Sequence, residues 1–123
     1  MSMERDHPNA VVLHCFDPLG REVVARLGQW KGHIEGRHPE VDEHFDSVQR
    51  AIERPEQITI DAINSNRENY YCRGALPAPY DRLFLKICVA YRPGNSLETY
   101  QTGEVITAYP TKRIGRGDAP RWP

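Results

Sequence analysis

The stretch GHIEGRHPEV, residues 32–41, sets His33, Arg37 and His38 close together, immediately ahead of Pro39. Imidazoles exchange protons near neutral pH, and a guanidinium is a permanently charged planar fork matched to phosphate, so this trio could perform acid/base chemistry beside a phosphate. The plainer reading is the polar start of a helix, with His33 as a surface or capping group and Arg37 paired with Glu35 or Glu40. A second pair of candidates lies far along the chain. In EVITAY, residues 104–109, Thr107 and Tyr109 alternate with Ile106 and Ala108, so a strand would place them on one face with Val105. Their hydroxyls would then sit about 7 Å apart along the strand. Pro110 ends the run, and Lys112 and Arg113 follow it as cations.

Other chemistries are poorly served. His33 and His38 are five apart with a glycine between them, His38 itself precedes a proline, there is no HxxxH on a helix, and no two cysteines are paired in sequence, so neither a metal nor a cofactor is expected. Cys15, Cys72 and Cys88 lie in apolar or aromatic surroundings and read as buried free thiols. There is no glycine-rich phosphate loop, no GxSxG elbow and no DxDxDG calcium loop.

The elements that must position these residues follow from the pattern. AVVLHCF (10–16) and EVVARL (22–27) flank the turn-like DPLGR and predict a hairpin. From Trp30 to Gly36 a short helical turn is expected, with Trp30 and Ile34 on one edge and His33 and Arg37 on the other. Pro39 then suits a first helical position, Glu40, Asp42 and Glu43 favour the positive end of a helix dipole, and Val41, Phe45, Val48 and Ile52 form one apolar stripe. That helix should stop by Arg54, ahead of Pro55. Beyond it the period becomes two. QITIDAI (57–63), NYYCR (69–73), LFLKICVAY (83–91) and EVITAY read as consecutive strands joined by connections too short for crossover helices, which predicts an antiparallel meander with LFLKICVAY in the centre.

The chain has 123 residues, the size of one domain, and residues 1–9 read as a flexible lead-in without the apolar stretch of a secretory signal. No run is long and apolar enough to span a bilayer, so a cytoplasmic location is expected. The formal net charge of −1 argues against gripping nucleic acid through bulk charge, so any such contact must be local. Charge is unevenly placed, with eight acids against three arginines over residues 35–61, while Lys112, Arg113, Arg116 and Arg121 face only Asp118 over residues 105–123. The basic end is therefore the candidate polyanion face, with a solvated tail as the alternative for Arg116 and Arg121.

The ordered set WKGHIEGRHPEV, AIERPEQI, RENYYCRG, LFLKICVAY and EVITAYPTKR resembles the phage-associated members of the barnase/EndoU/colicin/RelE-like nuclease superfamily over residues 30–113, with residues 10–27 outside the match. The resemblance implies an α+β fold, with N-terminal helices packed on a four-stranded antiparallel sheet, and metal-independent RNA cleavage. It points to His33, Arg37, His38, Thr107 and Tyr109 as the catalytic set. Lys112, Arg113 and Tyr70 are the further candidate substrate contacts. Such a protein would take RNA as substrate and, in a toxin setting, an immunity or antitoxin protein as partner. The alternative from a different class is a non-catalytic interaction module, suggested by the near-neutral charge and the acidic helix.

Overall fold

The computed structural model describes residues 7–91 and 102–123. Strands β1 (Val11–Phe16) and β2 (Glu22–Arg26) form the expected hairpin. Its turn is shaped by Asp17, whose carboxylate accepts from the amides of Leu19 and Arg21, and by Gly20, whose φ of 80° suits a residue without a side chain. The chain then runs directly into helix α1 (Leu27–Trp30) and a π-helical turn (Lys31–Glu35), followed by α2 (Pro39–Asp42) and α3 (Phe45–Glu53). Strands β3 (Gln57–Ile60), β4 (Arg67–Arg73), β5 (Phe84–Tyr91), β6 (Gly103–Thr111) and β7 (Ala119–Trp122) complete the order.

The strands join in one seven-stranded sheet in the order β1-β2-β6-β5-β4-β3-β7. This corrects the expected four-stranded antiparallel sheet with helices packed on it. The sheet is larger, mixed, and accompanied by only short helices. β3 to β6 do run antiparallel to their sequence neighbours, with β5 in the middle of the whole sheet. Two additions escape a local pattern. The hairpin attaches through a short parallel pairing of β2 to β6, Val23 with Gly103 and Val24 with Glu104. Gly103 permits this crowding, since a Cβ there would lie 2.6 Å from Val89 and 2.8 Å from the Tyr91 ring. At the far edge β7, a strand not expected from the sequence, pairs antiparallel with β3 despite Pro120, which an edge strand tolerates.

The single helix expected from Pro39 to Arg54 is broken between α2 and α3. The Asp42 carbonyl, which a continuous helix would engage with residue 46, accepts instead from the Trp30 indole at 3.2 Å, and Phe45 stacks on Trp30 with ring centroids 4.2 Å apart. Val41, Val48 and Ile52 are fully buried, whereas Phe45 is only partly so. The helix does end ahead of Pro55.

Along β5, Leu85, Ile87, Val89 and Tyr91 point into the core with α3, while Lys86 and Cys88 point to the other face and remain half-buried. Burying each Val, Leu or Ile of this core is worth roughly 1.5–3 kcal/mol, which anchors the sheet under the site. Of the expected flexible lead-in, residues 1–6 lie outside the described residues. Residues 7–9 are pinned: the Pro8 carbonyl accepts from Gly28 N–H at 2.8 Å, and the Pro8 ring packs close against Gly28. Most of the loop expected between β5 and β6, residues 92–101, also lies outside them. No helix among the described residues is long and apolar enough to cross a membrane.

Candidate functional site

β6 pairs with β2 only at its start, so the outer edge of residues 106–111 is free of strand partners and the helical segment after β2 lies along it. The Gln29 amide donates to the Ile106 carbonyl at 2.7 Å, and the Thr107 hydroxyl donates to the His33 carbonyl at 3.3 Å. These two bonds bring the first and last motifs together across more than seventy residues of sequence.

The register of β5 and β6 decides which side chains meet. Lys86 is opposite Tyr109 and Cys88 is opposite Thr107, and opposed residues share a face, so these four lie together on the side of the sheet away from α3. A bulge between Thr107 and Val105 sends Val105 into the core. The expected face of Val105, Thr107 and Tyr109 is thus corrected to Thr107 and Tyr109 alone, because the extra residue Ile106 breaks the alternation.

His38 reaches this face by stacking on Tyr109, with ring centroids 5.2 Å apart and planes within 26°. Its Nδ1 is 3.5 Å from Glu40. Lys86 sits between two aromatic rings, its Nζ 5.5 Å from the Tyr109 centroid and 5.7 Å from that of Tyr71. Cation–π and ring-stacking contacts of this kind contribute about 0.5–2 kcal/mol each. Burial is the largest influence on Lys86 and opposes its charge, but the hydrogen bond with the Tyr109 phenol, together with Tyr71 and Cys88, outweighs it and the lysine pKa is raised. Burial also pushes the Cys88 thiol up, against the opposing pull of Lys86, so at neutral pH it is a thiol and not a nucleophilic thiolate.

The C-terminal strap, residues 112–118, bounds the other side. Gly115 N–H donates to the Tyr71 hydroxyl at 3.1 Å, and Asp118 accepts from the Thr59 hydroxyl, the Asn69 amide and the Ala62 N–H at 3.0, 3.2 and 3.0 Å. Tyr71 and Asn69 are fully buried under this strap. Between strap and helical segment, Lys86, Cys88, Thr107 and Tyr109 form a strip two strands wide and only partly covered.

The sequence candidates are therefore divided. Thr107, Tyr109 and His38 come together, His33 contributes its backbone carbonyl, and the His33 imidazole and Arg37 are exposed on the same helical segment. Lys112 and Arg113 are exposed where β6 gives way to the strap. Tyr70 does not belong to this site. It lies on the opposite face, fully buried, its hydroxyl donating to Asp17 at 2.6 Å and in close contact with Tyr91, because neighbouring residues of a strand point to opposite sides.

That opposite face holds a polar network instead. Arg21 donates from both terminal nitrogens to Glu68 at 2.9 Å and from Nε to Asp17 at 2.9 Å, and its guanidinium lies 4.4 Å over Tyr91. Burial raises the Tyr70 phenol well above the ordinary tyrosine range and pushes Tyr91 up to about 12, so both remain protonated donors. Arg121 of β7 adds a 3.2 Å bond to Glu68, so it is tied to the sheet and not part of a solvated tail.

Lys86 is the member of the strip that sequence reading passed over. A signal was present: it is the only charged residue in LFLKICVAY, on the face that alternates with Leu85, Ile87 and Val89. Comparison with protein-family models, curated proteins and solved structures gave no match.

Proposed function

We propose that the chain is a metal-independent endoribonuclease of toxin-like or phage-derived type. The observation that carries this reading is the meeting of the two motifs, with His38 stacked on Tyr109 and Thr107 bonded to the His33 backbone on one open strip of the sheet. RNA brings its own nucleophile. A histidine, His33 or His38, takes the proton from the 2′-hydroxyl as its oxygen bonds to phosphorus; the bond to the 5′-oxygen breaks, and that oxygen is protonated by the acid partner. Arg37 holds the phosphate, and the Tyr109 hydroxyl, joined by that of Thr107 once it turns from the His33 carbonyl, provides hydrogen bonds to its oxygens. Lys112 and Arg113 extend the contact along the RNA backbone. The products are a 2′,3′-cyclic phosphate and a 5′-hydroxyl.

The test is incubation of end-labelled single-stranded and folded RNAs with the full chain in EDTA. Fragments ending in cyclic phosphate, and their loss in His33→Ala or His38→Ala, are expected. Intact RNA across the panel, with protein that melts cooperatively, would overturn the reading. It would leave the non-catalytic interaction module, which is favoured by the exposed Val11, Phe16 and Leu19 on the first hairpin. An immunity or antitoxin protein would be a partner under the toxin form of the first reading.

A further inference from the structure

We propose that the strip between the His33–His38 segment and the strap is a phosphate-binding cleft for single-stranded RNA, in which the Lys86 ammonium contacts the phosphate and the ring of Tyr109, besides its hydroxyl, positions that ammonium. It deepens the ribonuclease reading by naming the group that meets the anion, and its binding test stands apart from cleavage.

Lys86 is placed for this by the sheet itself. It projects from the central strand, opposite Tyr109, and its neighbours on the same face are the Tyr71 ring toward the strap and the Tyr109 ring toward the helical segment. Half-buried lysines ordinarily find a carboxylate. Lys86 is in no ion pair among the described residues. The carboxylates that face it are occupied: Asp61 accepts from the Ile63 and Asn64 amides, and Asp118 from Thr59, Asn69 and Ala62. Glu40, on the far side of Tyr109, lies against His38. The partners of Asp61 and Asp118 are neutral, so these carboxylates keep their charge and Asp61 feels the ammonium, but neither is in an ion pair with it; of the three ammonium donors one serves the Tyr109 phenol, which leaves hydrogen-bonding capacity for an outside anion.

The ligand class follows from what surrounds the strip. Arg37 is exposed on the helical segment beside β6, and Lys112 and Arg113 are exposed directly after β6, so cations stand beside the Lys86 floor and at the end of the strand that borders it. That spacing suits a chain carrying successive phosphates. The floor is two strands wide, with strands about 4.8 Å apart, which admits one sugar–phosphate backbone and not a duplex. The lateral order Lys86, Tyr109, His38 also gives the Tyr109 ring a part beside that of its hydroxyl. The Tyr109 ring has the ammonium toward β5 and the imidazole toward the helical segment, so the ring itself sets their separation.

The experiment measures binding of the full chain to inorganic phosphate and to a fluorescent single-stranded 2′-deoxy oligonucleotide, which has no internal nucleophile and is not cleaved. Lys86→Met should weaken oligonucleotide affinity by about tenfold or more, as expected for loss of a charge-assisted phosphate contact, and lower the salt slope by about one. Lys86→Arg should restore most of the affinity, and Tyr109→Phe, which keeps the ring and loses the hydroxyl, should bind less tightly than the unaltered chain but more tightly than Tyr109→Leu. Wild-type affinity in a folded Lys86→Met protein would overturn the cleft, and so would failure of the unaltered chain to bind either probe. Binding of phosphate without the oligonucleotide would overturn the chain-like ligand. Equal impairment in Tyr109→Phe and Tyr109→Leu would overturn the positioning role of the ring, because the ring would then add nothing to the hydroxyl. Should Lys86→Met fail to fold, the Lys86 amine resonance of the unaltered chain on phosphate addition decides: a shift supports the contact and none refutes it. Lys86-dependent binding without RNA cleavage would refute the ribonuclease reading alone, whereas cleavage indifferent to Lys86 would refute the cleft alone.

Discussion

Replacing Arg21 by Met should be among the most damaging single changes to this fold. Arg21 is the centre of the polar network on the core side of the sheet, and it ties the first hairpin to β4: it bonds twice to Glu68, once to Asp17 and once to Tyr70 at 3.2 Å. The carboxylates it serves are almost out of solvent, with side-chain exposures of 0% for Asp17 and 6% for Glu68. Methionine keeps much of the aliphatic stem, so the loss is mainly that of charge compensation. Removing one partner from a buried ion pair costs about 3–5 kcal/mol, since the remaining charge is left in a poor solvent. Two features moderate this. Asp17 keeps its bonds from the Leu19 and Arg21 amides and from the Tyr70 hydroxyl, and Glu68 keeps Arg121 at 3.2 Å. A loss of about 3 kcal/mol is therefore expected, measured by urea unfolding with the slope unchanged. The partner substitution Arg121→Met, made alone, removes a more exposed contact and should cost about 1 kcal/mol. A loss below about 1 kcal/mol for Arg21→Met would mean that water or a rearranged side chain compensates the carboxylates, and the network would not be what holds the hairpin to the sheet.

Phe45→Ala should cost about 2–3 kcal/mol by calorimetry or urea unfolding, at or below the low end for a fully buried phenylalanine, because Phe45 is partly exposed and contributes chiefly its stack on Trp30. Gly103→Ala should destabilise by about 1–3 kcal/mol, since its Cβ would meet Val89 at 2.6 Å and Tyr91 at 2.8 Å, both buried; an unaltered melting temperature would show that the β2–β6 junction can open without cost. Asp61 has its carboxyl held below the ordinary value by hydrogen bonds from the Asn64 and Ile63 amides. A carboxyl depressed in the folded state contributes stability that is present above its ordinary pKa of 3.8 and is lost as pH falls through the lower folded value, so Asp61→Asn should flatten the acid limb of the stability curve, lowering stability at pH 7 and changing little below the folded value. An acid limb of unchanged steepness would contradict that assignment.

Local periodicity was enough to place most of the elements. The hairpin around DPLGR, the stop before Pro55 and the alternating run at 84–91 each depend on neighbours a few residues apart, and side-chain period and turn chemistry record such relations directly. The same is true of the pairing of Thr107 with Tyr109, which share a face because they are two apart. What only the tertiary structure decided are relations between distant segments. The Trp30 indole takes the Asp42 carbonyl and splits a helix whose apolar stripe is unbroken in sequence. A single inserted residue at Ile106 turns Val105 into the core, and the two-residue parallel contact of β2 with Gly103 and Glu104 leaves the rest of the β6 edge to the helical segment. That vacancy lets His38 reach Tyr109. Tyr70 and Tyr71 look alike in RENYYCRG, yet one lies in the Asp17 network and the other under the strap, since adjacent residues of a strand face opposite ways and composition does not say which face is covered. Lys86 gains its place in the same manner: its charge was visible in the sequence, but the two rings beside it come from strands whose pairing only the folded chain establishes.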